Sequence, residues 1–222
     1  MRSPYSIPAL LIFFILLTSL AVLIQVGALT VAFYKLGLSP FSGYLLFLVA
    51  LIGSTINIPL FEIDALPPAA NRCSWPGSQW LRPAMPPVRG SPIFGGYLGG
   101  CVIPVMLSLY LVITQAPNPL TLAIAIAIVT SVSYGFSRPI PRVGIGMPIL
   151  IAPVTAALTA GFLDPEHRGV VAYICGVLGV LIGADLLRLP DIRKIGTPIA
   201  SIGGAGTFDG IFLTGIVAVL LA

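Results

Sequence analysis

Apolar residues run along this chain in long unbroken stretches. They show neither the two-residue alternation of a half-buried strand nor the polar stripe of a soluble amphipathic helix. Charge-free runs cover Ser3–Tyr34, Leu36–Phe61, Gly90–Ser137, Val143–Leu163, Gly169–Ala184 and Ile195–Ala222, the last interrupted only by Asp209. A helix that crosses a bilayer needs about 20 apolar residues. Gly90–Ser137 holds 48 residues, too many for one crossing, and Ala116-Pro117-Asn118-Pro119 divides it with a strong turn signal. The pattern predicts an all-α, polytopic transmembrane helix bundle of about seven spans, near 8–34, 41–60, 93–115, 119–136, 144–163, 169–189 and 197–221.

Between the second and third spans the pattern changes. Residues 61–92 carry Pro67, Pro68, Pro76, Pro83, Pro86, Pro87 and Pro92, with Trp75 and Trp80 among them. Proline lacks an amide donor and clashes with the preceding turn, so this stretch reads as an extended loop with its tryptophans at the interface. It sits inside one transmembrane domain, residues 1–222.

Composition sharpens this picture. Hydrophobic residues make up 57% and charged residues 8%, against about 25% charged in soluble domains. That is too little charge to cover a soluble surface, and a soluble enzyme is excluded. Cys73, Cys101 and Cys175 lie far apart with no CxxC spacing, which argues against a disulfide framework or a zinc site. The first apolar stretch is longer than the core of a cleaved signal peptide and is expected to remain as a span.

Basic residues set the expected orientation. With the N-terminus inside, nine fall on the inner side (Arg2, Arg72, Arg82, Arg89, Arg138, Arg142, Arg188, Arg193, Lys194) and two on the outer side (Lys35, Arg168). Basic residues are retained on the cytoplasmic side, so the C-terminus is expected outside and 61–92 in the cytoplasm. Topology thereby accounts for the net charge of +4 without any nucleic-acid partner.

Two acidic residues fall within spans, Asp185 and Asp209; Glu62, Asp64, Asp164, Glu166 and Asp191 fall in loops. A carboxylate inside a bilayer is costly and is usually buried, paired and functional. Both lie in the inner half of sequential antiparallel helices. If they face each other, they would share one proton, because two charges in low dielectric cannot both persist cheaply. The simpler expectation for Asp185 is an ion pair with Arg188, three residues on. At about 100° per residue, Asp185 also points away from the Gly179/Gly183 stripe of its own helix. Gly95-Gly96, Gly99-Gly100, Gly176, Gly179, Gly183 and Gly203–Gly210 predict close packing of helices 3, 6 and 7. The run 196–206 is a poor helix by propensity and is expected to form an unwound start to helix 7. No metal-ligand spacing, P-loop or dinucleotide fingerprint is present, so neither metal nor cofactor is expected.

The segments Leu178–Pro190 (LGVLIGADLLRLP) and Ile199–Gly215 (IASIGGAGTFDGIFLTG), with Asn57-Ile58-Pro59-Leu60, carry two resemblances. The whole chain resembles an uncharacterised family of bacterial and archaeal membrane proteins, a domain of unknown function. That resemblance implies a multi-pass protein of a prokaryotic cytoplasmic membrane. More distantly, the chain is similar to intramembrane aspartyl proteases of the presenilin and signal peptide peptidase type. There the catalytic aspartates lie on the sixth and seventh spans, the second in a GxGD motif. Gly206-Thr207-Phe208-Asp209 fits a relaxed form, whereas Ala184 stands where presenilin has tyrosine and Phe208 replaces the second glycine. This second resemblance implies Asp185 and Asp209 as catalytic residues. It also implies Gly203, Gly204, Gly206 and Phe208 as substrate-binding, membrane lipid as surroundings and a single-span membrane peptide as substrate. A small proton- or cation-coupled transporter using Asp209, or a non-catalytic membrane assembly factor, are the alternatives.

Overall fold

The computed structural model describes residues 7–62, 93–140, 144–191, 199–202 and 210–222. Two helices open the chain, α1 (Ile7–Lys35) and α2 (Pro40–Gly53). Strands β1 (Asn57–Glu62) and β2 (Ile93–Tyr97) follow, and a π-helical stretch, Leu98–Val102, leads into α3 (Ile103–Gln115). Next come α4 (Pro119–Phe136), the short strands β3 (Arg138–Ile140) and β4 (Gly144–Gly146), and α5 (Ile151–Leu163). The chain closes with α6 (Arg168–Val180), a second π-helical stretch Leu181–Leu186, β5 (Ile199–Ile202) and α7 (Gly210–Leu221).

Among the described residues, three helices are long and apolar enough to cross a membrane: α1, α4, and α6 with its continuation to Asp191. Four shorter apolar helices accompany them. The expected 119–136 helix is α4, with Pro119 in its first turn and the Asn118 side chain accepting from the Leu120 amide at 3.0 Å. Ser39 caps α2 in the same way, accepting from the Ser42 amide at 3.2 Å.

The chain is mostly helical, as expected, but strands replace the expected helix at four places. Helix 2 does not continue to residue 60: it ends at Gly53, and Asn57–Glu62 is a strand. Pro59 cannot donate within a helix and biases Ile58 toward extended backbone, and the strand register slips between Pro59 and Phe61. Helix 3 does not begin at 93. Gly95 and Gly96 lie in β2, and Gly99 and Gly100 lie in the π-helical stretch, so the glycine pairs there are not an α-helical packing stripe. Helix 7 does not begin at 197, since Ile199–Ile202 is a strand. The non-helical start expected for that helix is met at those residues; Gly203, Gly204 and Gly206 lie outside the described residues. Helix 5 is also shorter than expected, because Gly144–Gly146 pairs with Arg138–Ile140 and the helix starts at Ile151.

The three strands form one sheet in the order β1-β2-β5, with β1 antiparallel to β2 and β2 parallel to β5. Helix 6 runs through the middle of the bundle, and Val170–Val177 is buried on every side. It packs against α7, α4, α5 and α3. Lys35 Nζ donates to the Val219 carbonyl at 3.2 Å, and Gly169 lies against the Lys35 backbone. The C-terminal ends of α1 and α7 and the start of α6 therefore share one end of the bundle. At that end Gly37 adopts φ 72° after the last turn of α1, where a side chain would strike the Gln115 amide.

Candidate functional site

The C-terminal half of α6 and its continuation are built on close approach to α4. A Cβ added at Gly179 would lie 2.6 Å from Val129 Cγ1. One added at Gly183 would strike the Thr130 carbonyl oxygen and come within 2.9 Å of Ser133 Cβ. The Gly179/Gly183 stripe is thus the α4 contact. The α7 contact is a different face, where a Cβ at Gly215 would fall 2.7 Å from Tyr173 Cε2 and 2.8 Å from Val177 Cγ2. Of the expected close trio, helices 6 and 7 meet through glycine, while α4 takes the remaining glycines of helix 6.

Asp185 lies half-buried in the stretch Leu181–Leu186. There the backbone bonds skip five residues, as in Leu187 N to Ile182 O at 2.9 Å. In an uninterrupted α-helix Asp185 would lie eight residues, about 800°, past Val177, and so about 80° off the α7-facing direction. A π-helical step turns by roughly 85° instead of about 100°, so four such steps bring Asp185 back to within about 20° of Val177. Axially, Asp185 lies roughly 11 Å beyond Val177, and Gly210, the first residue of α7, about 8 Å from Gly215 in the same direction. The stretch Leu181–Leu186 itself packs against α4.

The ion pair expected between Asp185 and Arg188 is corrected. Arg188 Nη1 bonds Asp191 Oδ2 at 3.1 Å, and that is its carboxylate contact among the described residues. Its other donors reach α4: Nε to Ser137 Oγ at 3.1 Å, and Nη2 to the carbonyls of Ser137 at 2.8 Å and Tyr134 at 2.7 Å. The guanidinium carbon lies 4.2 Å over the Tyr134 ring. A helix leaves its last four carbonyls without intrahelical partners, and a cation suits that end of the dipole. Arg188 therefore caps α4. Tyr134 and Ser137 are the partners that sequence spacing missed; the signal for them is the end of α4, 50 residues away in sequence.

Two hydroxyls near the glycine contact, Thr130 Oγ1 and Ser133 Oγ, are buried without a hydrogen-bond partner among the described residues, as is Tyr173 Oη. At the opposite end of the bundle, Asp164 Oδ1 accepts from the His167 amide at 3.1 Å and lies 3.3 Å from its Nδ1, so His167 takes part in a local turn. Cys175 is buried and Cys101 half-buried. No three metal-ligating side chains cluster among the described residues. Asp209, Phe208 and the Gly203–Gly206 run lie outside the described residues, as do Cys73 and residues 63–92 of the proline-rich loop.

No curated protein and no solved structure matches this chain, and the protease resemblance finds no support there. One family model does match, over residues 51–221, from within α2 to the last residue of α7. The chain belongs to that family, described as protein of unknown function (DUF1614).

Proposed function

We propose that the chain is an intramembrane aspartyl protease that uses Asp185 and Asp209. The observation that carries this reading is the π-helical stretch Leu181–Leu186: ideal geometry would rotate Asp185 there toward the α7 side of its helix, and Asp209 is the residue before α7 in sequence. Strand β5 supports it from the substrate side. It sits at the edge of the sheet, with one side unpaired among the described residues, just before the Gly203–Asp209 segment. An extended peptide is the form in which a protease takes its substrate, and a sheet edge offers main-chain bonds to it.

In this reading one carboxylate takes a proton from a water whose oxygen attacks the scissile carbonyl carbon. The other, protonated, gives its proton to the carbonyl oxygen. Collapse of the tetrahedral centre breaks the carbon–nitrogen bond, and the departing amine takes up a proton. The surrounding protein is a seven-span bundle of a prokaryotic cytoplasmic membrane, with its N-terminus inside. The antiparallel β1–β2 and parallel β2–β5 pairs agree with alternating span directions, and the nine-to-two basic asymmetry supports the sidedness.

The test is to incubate purified protein with a panel of single-span peptides, comparing wild type with Asp185→Asn and Asp209→Ala. Cleavage by wild type and by neither variant is the expected result. Cleavage that survives both substitutions, or a wild type inert on every peptide, removes the protease reading.

A further inference from the structure

Among the described residues, α1 is joined to the bundle near its C-terminal end. Ala32, Phe33 and Leu36 are buried, and Tyr44 of α2 reaches back to the Val26 carbonyl at 3.0 Å. From Phe14 to Gly27 every residue is exposed. Most of these are apolar and suit lipid, and Thr18 satisfies its hydroxyl on the Phe14 carbonyl at 2.7 Å. Gln25 is different. It is exposed, it is the sole amide side chain of α1, and no hydrogen bond joins it to another described residue. Ten residues separate it from Lys35, about 15 Å at 1.5 Å per residue, so it lies near the middle of the span. A glutamine is too short to reach either interface from there, and an unsatisfied amide in hydrocarbon is costly.

We infer that Gln25 joins α1 to the α1 of a second copy of this chain. A glutamine amide donates and accepts, so it is complementary to itself. Two copies inserted in the same orientation bring Gln25 to one depth without further adjustment, and a two-fold axis along the membrane normal lets each amide bond the other. A partner of unrelated sequence would need its own polar group at that depth. The face is suited to close approach. Thr18, Ala21, Gln25, Ala28 and Ala32 fall within about 80° of one another at 100° per residue, and small residues let helix backbones meet in lipid. Ala32 on that face is already buried against the bundle, so the new contact continues an existing packing surface. This inference stands apart from the protease reading.

The test uses the full chain in lipid vesicles. Energy transfer between separately labelled copies should report a dimer, and Gln25→Leu should weaken it roughly three- to tenfold. Oxidative cross-linking gives a second readout with Gln25 intact. Ala21→Cys should cross-link to itself above the background of the native cysteines, and Leu23→Cys, on the opposite face, should not. A monomeric wild type, equal cross-linking at both positions, or a dimer indifferent to Gln25→Leu in a normally folded variant overturns the proposal.

Discussion

Arg188 holds Tyr134 twice: it donates to the Tyr134 carbonyl at 2.7 Å, and its guanidinium lies 4.2 Å over the same residue's ring. This places a cation on the free carbonyls of α4 while fixing the end of α6 beside it. Hydrogen bonds from charged groups contribute about 1.5–3 kcal/mol each, but they act here as a unit. Arg188→Leu is expected to lower stability by about 2–4 kcal/mol in detergent, read as a drop in unfolding temperature. Arg188→Lys should recover only part of it, since an ammonium cannot reproduce the planar fork. An unfolding temperature unchanged in the leucine variant would show that the cap contributes nothing.

Gly183 and Gly135 should respond oppositely to alanine. At Gly183 the new methyl meets the Thr130 carbonyl and Ser133, and backbone cannot step aside cheaply. Gly183→Ala should cost about 1–3 kcal/mol. At Gly135 nothing lies within 4 Å of the added carbon, so Gly135→Ala should be neutral or stabilise α4 by about 0.5–1 kcal/mol. Paired thermal melts decide the point, and equal shifts at the two sites would contradict the α4–α6 contact.

The two acidic residues flanking Arg188 should separate by phenotype. Asp191→Asn removes a part-exposed ion pair and should cost about 0.5–1 kcal/mol while sparing peptide cleavage. Asp185→Asn should abolish cleavage. Loss of cleavage in the Asp191 variant alone would reverse the assignment.

Thiol chemistry reads the centre of the bundle. Cys175 lies within the buried stretch of α6. With Cys73 and Cys101 replaced by serine, Cys175 should stay unlabelled by a maleimide in the folded protein and react fully in denaturant. Rapid labelling under native conditions would be incompatible with α6 at the bundle centre.

A reporter fused after Ala222 should read as external. A cytoplasmic reading would invert the proposed orientation and with it the depth assigned to both aspartates.

Hydropathy located the helices well where local chemistry marked their ends. The 119–136 segment is bracketed by Asn118-Pro119 and by Ser137, and it forms as expected. The failures share one cause: apolarity measures burial and says nothing about backbone geometry. Asn57–Glu62, Ile93–Tyr97 and Ile199–Ile202 are apolar enough to extend a span, yet each is rich in glycine, proline or β-branched residues, and each pairs with a distant segment. The same limit applies at the site. Asp185 was visible as an intramembrane carboxylate. The π-helical stretch that holds it was not, because hydropathy carries no signal for backbone geometry. The Asp185–Arg188 spacing suited a helical pair, but the free carbonyls at the end of α4 and Asp191 competed for the same guanidinium and won.

The central place of β2 in its sheet has a consequence for biogenesis. Its neighbours are β1, which precedes it, and β5, which begins more than 100 residues later. Until the last helix has left the ribosome, one side of β2 lacks its native main-chain partner. An unpaired strand edge is adhesive. A nascent chain stalled before Ile199 is therefore a natural client for membrane chaperones and quality-control proteases, and arrival of the final segment is what releases it.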